Sequence, residues 1–111
     1  MPLYELLTIS RVPAQQHIQT QFLSEIMTRT AKRLFKENSL IRDIKYMGTQ
    51  QLPHRIKLAG EYHLMGSFWV MYFYGGPQSI KRLRKELEGD TDIIRCTFTK
   101  QGDKLKDYIL N

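Results

Sequence analysis

Three histidines, His17, His54 and His63, one cysteine, Cys96, and 11 carboxylates are the side chains with which this chain could do chemistry. The histidines fall in different segments and lack ligand spacing, so no metal site is expected. Cys96 stands mid-strand beside Arg95 and reads as a small core or interface filler. A metal site shared with a partner chain is its chemical alternative. No Ser-His-Asp set, Walker loop or HExxH is present. Glu5, in the first strand, is the odd acid. A cross-strand ion pair with Arg95 is expected for it if the fourth strand neighbours the first. No second carboxylate stands near enough for acid–base work. The expectation is a protein that is not an enzyme and has no cofactor and no small-molecule substrate.

Cations are the stronger signal. Lys plus Arg is 17 against 11 Asp plus Glu, a formal charge of +6. That balance favours a polyanion such as nucleic acid. The basic residues form groups. Arg42, Lys45, Arg55 and Lys57 lie on the second strand and the turn after it. Lys81, Arg82, Arg84 and Lys85 lie on a helix and read as a solvated face. Arg95 and Lys100 mark the last strand. Phosphate contact needs long cationic side chains on a projecting edge, where they keep much of their water. The second strand and the end of the last strand meet that condition. The candidate RNA-binding set is therefore Arg42, Lys45, Arg55, Lys57, Arg95 and Lys100.

The elements that must position these residues are set by periodicity. Pro2 to Arg11 reads as a central strand, apolar on both faces and broken by Val12-Pro13. From Ala14 to about Glu37, Ile18, Phe22, Ile26, Thr30 and Leu34 recur every four residues, widened by Leu23, Met27 and Phe35. That is a long amphipathic helix, ended by Asn38-Ser39. Leu40 to Gly48 alternates as an edge strand. Pro53 cannot donate to a ladder, so the stretch from Thr49 to His63 reads as an irregular edge continuation and a loop. A third strand runs from about Ser67 to Tyr74. Pro77 opens a second helix at a favoured first position. Ile80, Leu83 and Leu87 form its buried stripe, and Gly89 caps it. Thr91 to Lys100 is the last strand. The order β-α-β-β-α-β is the ferredoxin-like arrangement, an α+β fold with two helices on one face of a four-stranded antiparallel sheet. One domain over residues 1–100 and a polar tail over 101–111 are expected.

The run Gly66 to Gly76, GSFWVMYFYGG, is apolar on both faces of its strand. Helices can cover one face. The expectation is that Phe68, Val70 and Tyr72 share the core, while Trp69, Met71 and Phe73 face away from the helices and meet a protein partner, since such residues are enriched at interface centres. An RNA recognition motif has the same topology. Aligned on Gly66, Trp69, Val70 and Tyr72 are in register with its third-strand pattern, but Met65, Ser67 and Phe68 break it. An acylphosphatase-type enzyme also shares the topology. It needs a phosphate-cradling loop after the first strand, and the segment from Ser10 to Gln16 has no glycine there.

A single cysteine allows no internal disulfide, which fits a reducing compartment. No run of about 18 apolar residues exists, so no membrane span and no membrane partner are expected. No secretory signal is visible at the N-terminus.

Taken together, Tyr4-Glu5 in the first strand, Gly48 followed by Leu52 and Ile56, GSFWVMYFY as the third strand and IIRCTFTK with Arg95 in the fourth give the chain a family likeness. It resembles the sixth protein of the bacterial-type small ribosomal subunit, the S-six family, over roughly residues 2–100. IRDIKYMG followed by QLPHRI is similar to mitochondrial members, especially fungal ones. Leu52-Pro53-His54 departs from the Ala-Tyr-Pro of bacterial members. The resemblance implies a structural constituent of the small ribosomal subunit that supports translation. It implies binding to small-subunit rRNA beside an S-eighteen-type ribosomal protein and other small-subunit proteins. The mitochondrial matrix is its expected place, with the bacterial cytoplasm as alternative. Arg95 carries over from the family motif as the leading RNA contact. The competing reading is a stand-alone ferredoxin-like domain that self-assembles or binds a regulator.

Overall fold

The computed structural model describes residues 2–102, which run in the expected β-α-β-β-α-β order. Strand β1 is Leu3–Arg11, and a 3-10 turn at Gln16–Ile18 leads into helix α1, Gln19–Lys36. Strands β2, Leu40–Leu58, and β3, Glu61–Tyr74, form a long hairpin. Helix α2, Pro77–Glu88, and strand β4, Ile93–Gly102, complete the fold. The sheet order is β2-β3-β1-β4, antiparallel throughout, so β3 and β1 are central. Strand β4 takes in Gln101 and Gly102 from the expected tail. The rest of that tail, 103–111, lies outside the described residues.

The helices end for local reasons. Asn38 has φ 59°, with its N–H bonded to Phe35 and that of Ser39 to Leu34. This is a Schellman motif with Asn38 in the left-handed position, where asparagine is one of the few residues tolerated. Helix α2 has Pro77 in its first turn, and its stripe of Ile80, Leu83 and Leu87 is buried as expected. Gly89 caps it with φ −83°, an ordinary right-handed value. Glycine is therefore not required there by backbone conformation. Phe35, expected to widen the α1 stripe, is 61% exposed.

The stretch after Gly48 is not a loop. The β2–β3 ladder runs on to Leu58 opposite Glu61, and Ala59-Gly60 makes the turn with both residues at positive φ. Pro53 is compatible with this because the ladder is interrupted between Gln51 and Ile56. A proline on an edge strand, inside a bulge, forfeits no pairing bond.

The largest correction concerns the face of β3. Trp69, Met71 and Phe73, expected to meet a partner, are fully buried under the helices. They pack with Leu6, Ile26, Leu34, Leu83 and Leu87. Phe68, Val70 and Tyr72 lie on the open face instead. The register with β1 explains the choice. Thr8 stands opposite Trp69 and Ser10 opposite Ser67, so small side chains leave room for the indole. Ser10 Oγ accepts the Trp69 Nε1–H at 2.8 Å, which offsets the indole's desolvation. The reverse parity would bury charge. Glu5 is opposite Tyr72, Lys45 opposite Val70 and Arg95 opposite Ile9. All three would point into the core, where unpaired charge is prohibitively expensive. Trp69, one of the residues in register with the RNA recognition motif pattern, lies buried under the helices and cannot stack a base.

Candidate nucleic-acid interface

The open face of the sheet has an apolar centre and a cationic border. Leu7 and Ile9 of β1 lie beside Val70 and Phe68 of β3. Tyr72 extends this strip towards the far end of the sheet.

At the Tyr72 end, Arg42 sits in a β-bulge between Ile41 and Asp43. Arg42, Asp43, Lys45 and Tyr72 line one shallow depression. Lys45 Nζ lies 5.7 Å from the centre of the Tyr72 ring. This is cation–π range, and the ammonium keeps its access to water.

At the Phe68 end, the interruption of β2 builds a groove. Residues 52–55 oppose the single residue Leu64, so the edge strand bows out. Leu52 turns back onto the sheet and is buried. Gly66 permits this. A Cβ there would collide with Ile9 Cγ2 and lie 3.4 Å from Leu52 Cδ2. The resulting groove of about 640 Å³ has Ile9, Leu52 and Phe68 on its floor and His54, Arg55 and Arg95 on its rim. The Arg55 guanidinium stacks 4.6 Å from the Tyr62 ring centre, and Lys57 Nζ lies 5.7 Å from it. Tyr62 thereby holds two cations at the groove.

Of the six cations expected to bind RNA, Arg55, Lys57 and Arg95 gather at this groove and Arg42 and Lys45 at the other end of the same face. Lys100 is apart from both. It pairs in register with Tyr4, whose ring packs on the core, so it projects on the helix side of the sheet. The expected Glu5–Arg95 pair does not form, although β1 and β4 are neighbours. Glu5 is opposite Thr99, and its carboxylate accepts from Gln101 Nε2 at 3.0 Å. A four-residue offset along the strand separates it from Arg95, leaving that guanidinium to the groove.

Sequence reasoning missed the groove residues Leu52, His54, Gly66 and Phe68. Two signals pointed to them. A glycine inside an aromatic strand marks a close approach, and a proline inside an edge strand marks a bulge.

It also missed the ionic clamp just before the start of β4, which begins two residues before Arg95. Asp92 takes Arg11 Nε at 2.7 Å and Arg29 at 3.0 Å. Asp90, 5% exposed at its side chain, takes Arg33 at 3.3 Å and Arg29 at 3.4 Å. Asp90 also accepts the Asp92 backbone N–H at 3.0 Å. The clamp ties the α2–β4 turn to α1 and to the end of β1. Burial pushes the Asp92 carboxyl up, but the hydrogen bonds and charges of Arg11 and Arg29 outweigh it and hold it below the ordinary carboxylate value. A carboxyl lowered in the folded state contributes stability that is fully present above its unfolded value and lost as pH falls through the folded one. The stability difference between the wild-type chain and Asp92→Asn is therefore expected to be constant near neutrality and to shrink below about pH 4, the unfolded aspartate range. Urea titrations at a series of pH values test this; a difference that grows on acidification would contradict it.

Cys96 is half-buried on the helix side, opposite Thr8. Burial first, and then Glu88, push its thiol up, and Arg84 only partly offsets them. Such a thiol is a poor metal ligand or nucleophile. Among the described residues no group of three His, Cys, Asp or Glu side chains could hold a metal ion, and no helix is long and apolar enough to cross a membrane.

Comparison with known proteins agrees with this architecture. The fold is similar to the crystal structure of 30S ribosomal protein S6 from Thermotoga maritima, with a TM-score of 0.74 over 90% of this chain and 87% of that one at 20% identity. Among curated proteins, the chain is 31% identical over 96 residues to "Small ribosomal subunit protein bS6m" of Drosophila melanogaster, covering 86% of this chain and 61% of that protein. The protein of the same name from Gallus gallus is 29% identical over 100 residues, 90% of this chain and 78% of that one. The Neurospora crassa protein is 28% identical over 81 residues, 73% of this chain and 69% of that one. The chain thus spans about six tenths of the fly protein's length. The family model for ribosomal protein S6 matches residues 3–100, from the start of β1 through both helices and into β4, and the chain belongs to that family.

Proposed function

We propose that this protein is a structural constituent of the mitochondrial small ribosomal subunit that binds small-subunit rRNA together with an S-eighteen-type ribosomal protein. The observation that carries the RNA-binding part is the placement of Arg42, Lys45, Arg55, Lys57 and Arg95 on one open sheet face, outside the core and around an apolar strip. Cations so placed can meet phosphates without full desolvation. The mitochondrial part is supported by the names of the fly, chicken and Neurospora relatives, and the matrix, with the mitoribosome, is the proposed location. A protein neighbour has a surface other than the one expected. Leu40, Ile44, Tyr46 and Met47 are exposed along β2, whose outer edge no strand of the described chain pairs. An unpaired apolar edge is an aggregation hazard that a partner would remove.

Two measurements test the proposal. A tagged chain should sediment with the small subunit in a sucrose gradient; a homogeneous low-mass peak would instead favour the self-assembling domain. In RNA binding, Arg55→Gln and Arg95→Gln should each lower the slope of log affinity against log salt by roughly 0.7–0.9 with the fold intact. Unchanged slopes in both variants would reject the phosphate assignment.

A further inference from the structure

The groove formed where β2 bows out at residues 52–55 differs from the rest of the open face. It has depth, an apolar floor and no carboxylate among its lining residues. A duplex offers such a floor little, because its bases are stacked inward and its phosphates lie outside. An unstacked nucleotide offers a flat apolar face and negative charge together. The groove supplies both counterparts. Ile9 and Phe68 provide the floor, and His54, Arg55 and Arg95 are side chains whose planar groups stack on bases or pair with phosphate. Its volume, about 640 Å³, is within the general range of small-ligand sites, roughly 300–1,000 Å³. Its shape is prepared in the chain, since Gly66 has no Cβ to displace Ile9 or Leu52 from the floor.

We propose that this groove receives one unstacked nucleotide of a single-stranded RNA segment, its base against Phe68 and Ile9 and its flanking phosphates on Arg55 and Arg95. The proposal rests on the rRNA-binding reading above and adds a specific mode to it: the face distinguishes single-stranded from double-stranded RNA.

The test uses the purified full chain and three probes: a short single-stranded RNA, the same RNA with one central abasic position, and the corresponding duplex. The single strand should bind about fivefold or more tighter than the duplex. Phe68→Leu, which keeps apolar volume but removes the ring, should weaken the intact single strand about fivefold or more and leave the salt slope unchanged. The same variant should bind the abasic RNA as the wild-type chain does. His54→Ala, at an exposed rim position, is a second variant should Phe68→Leu fail to fold, and thermal unfolding of each variant separates the two effects. If the duplex and the abasic strand bind as tightly as the intact strand while Arg95→Gln still lowers the salt slope, the nucleotide seat is wrong and the phosphate reading stands. If no RNA binds, both fail. If a photo-crosslinker at position 54 in assembled small subunits joins protein rather than RNA, the groove is a protein seat and the proposal is overturned.

Discussion

Trp69→Ala is expected to destabilise the domain by about 3–5 kcal/mol, through lost burial and the cavity left behind. For a domain of this size that is a large share of a total of about 5–15 kcal/mol. The indole is fully buried among Leu6, Ile26 and Met71, and its N–H is satisfied by Ser10. Ser10→Ala should cost about 1–3 kcal/mol by orphaning that donor. Val70, on the opposite face, is also well covered, at 4% exposed. It is smaller, and Val70→Ala should cost about 1–2 kcal/mol, two methyl groups' worth of burial. Urea unfolding of the three variants gives the ranking directly. If Val70→Ala proved more damaging than Trp69→Ala, the assignment of the core to the Trp69 face would be wrong.

A second large effect is expected at the clamp. Removing Asp90 leaves Arg29 and Arg33 with one acid fewer in a partly buried site and frees the Asp92 N–H. Breaking a buried pair by truncating one partner typically costs about 3–5 kcal/mol. Here both arginines reach solvent and keep second partners, Asp92 and Glu86. Asp90→Ala should therefore cost roughly 2–3 kcal/mol, below that range because partial exposure screens the loss. Lys81→Ala, on the solvated face of α2, should change stability by less than about 0.5 kcal/mol. A double-mutant cycle between Asp90→Ala and Arg33→Ala should show coupling, since the two share the bond at 3.3 Å. Additive losses would mean that Asp90 acts only through its turn. RNA contacts should also weaken in Asp90→Ala if the start of β4 shifts, because Arg95 is carried on it.

Amphipathic spacing was enough to place both helices and most of their buried stripes, because Leu23, Ile26, Thr30 and Leu34, and Ile80, Leu83 and Leu87, recur at mixed intervals of three and four, which fit one face of a helix and not one face of a strand. The order of strands followed from that alternation of periods, and with it the central places of β1 and β3. The joint order of Tyr4-Glu5, Gly48 with Leu52 and Ile56, GSFWVMYFY, and IIRCTFTK with Arg95 connected the chain to its family. The face of β3 was not legible. Phe68, Val70 and Tyr72 are as apolar as Trp69, Met71 and Phe73, so a period of two carries no preference between them. Inter-strand register broke the tie, by setting small Thr8 and Ser10 against the indole and keeping Glu5, Lys45 and Arg95 out of the core. In the β1–β3 and β1–β4 ladders that register joins residues more than 50 positions apart, which no local pattern records. The same holds for the candidate site. Residue spacing alone put cations on a strand at the edge of the sheet. That Arg55 and Arg95, from opposite edges of the sheet, share one groove is a property of the folded chain. Their meeting depends on a glycine in β3 letting Leu52 and Ile9 close over the strand between them.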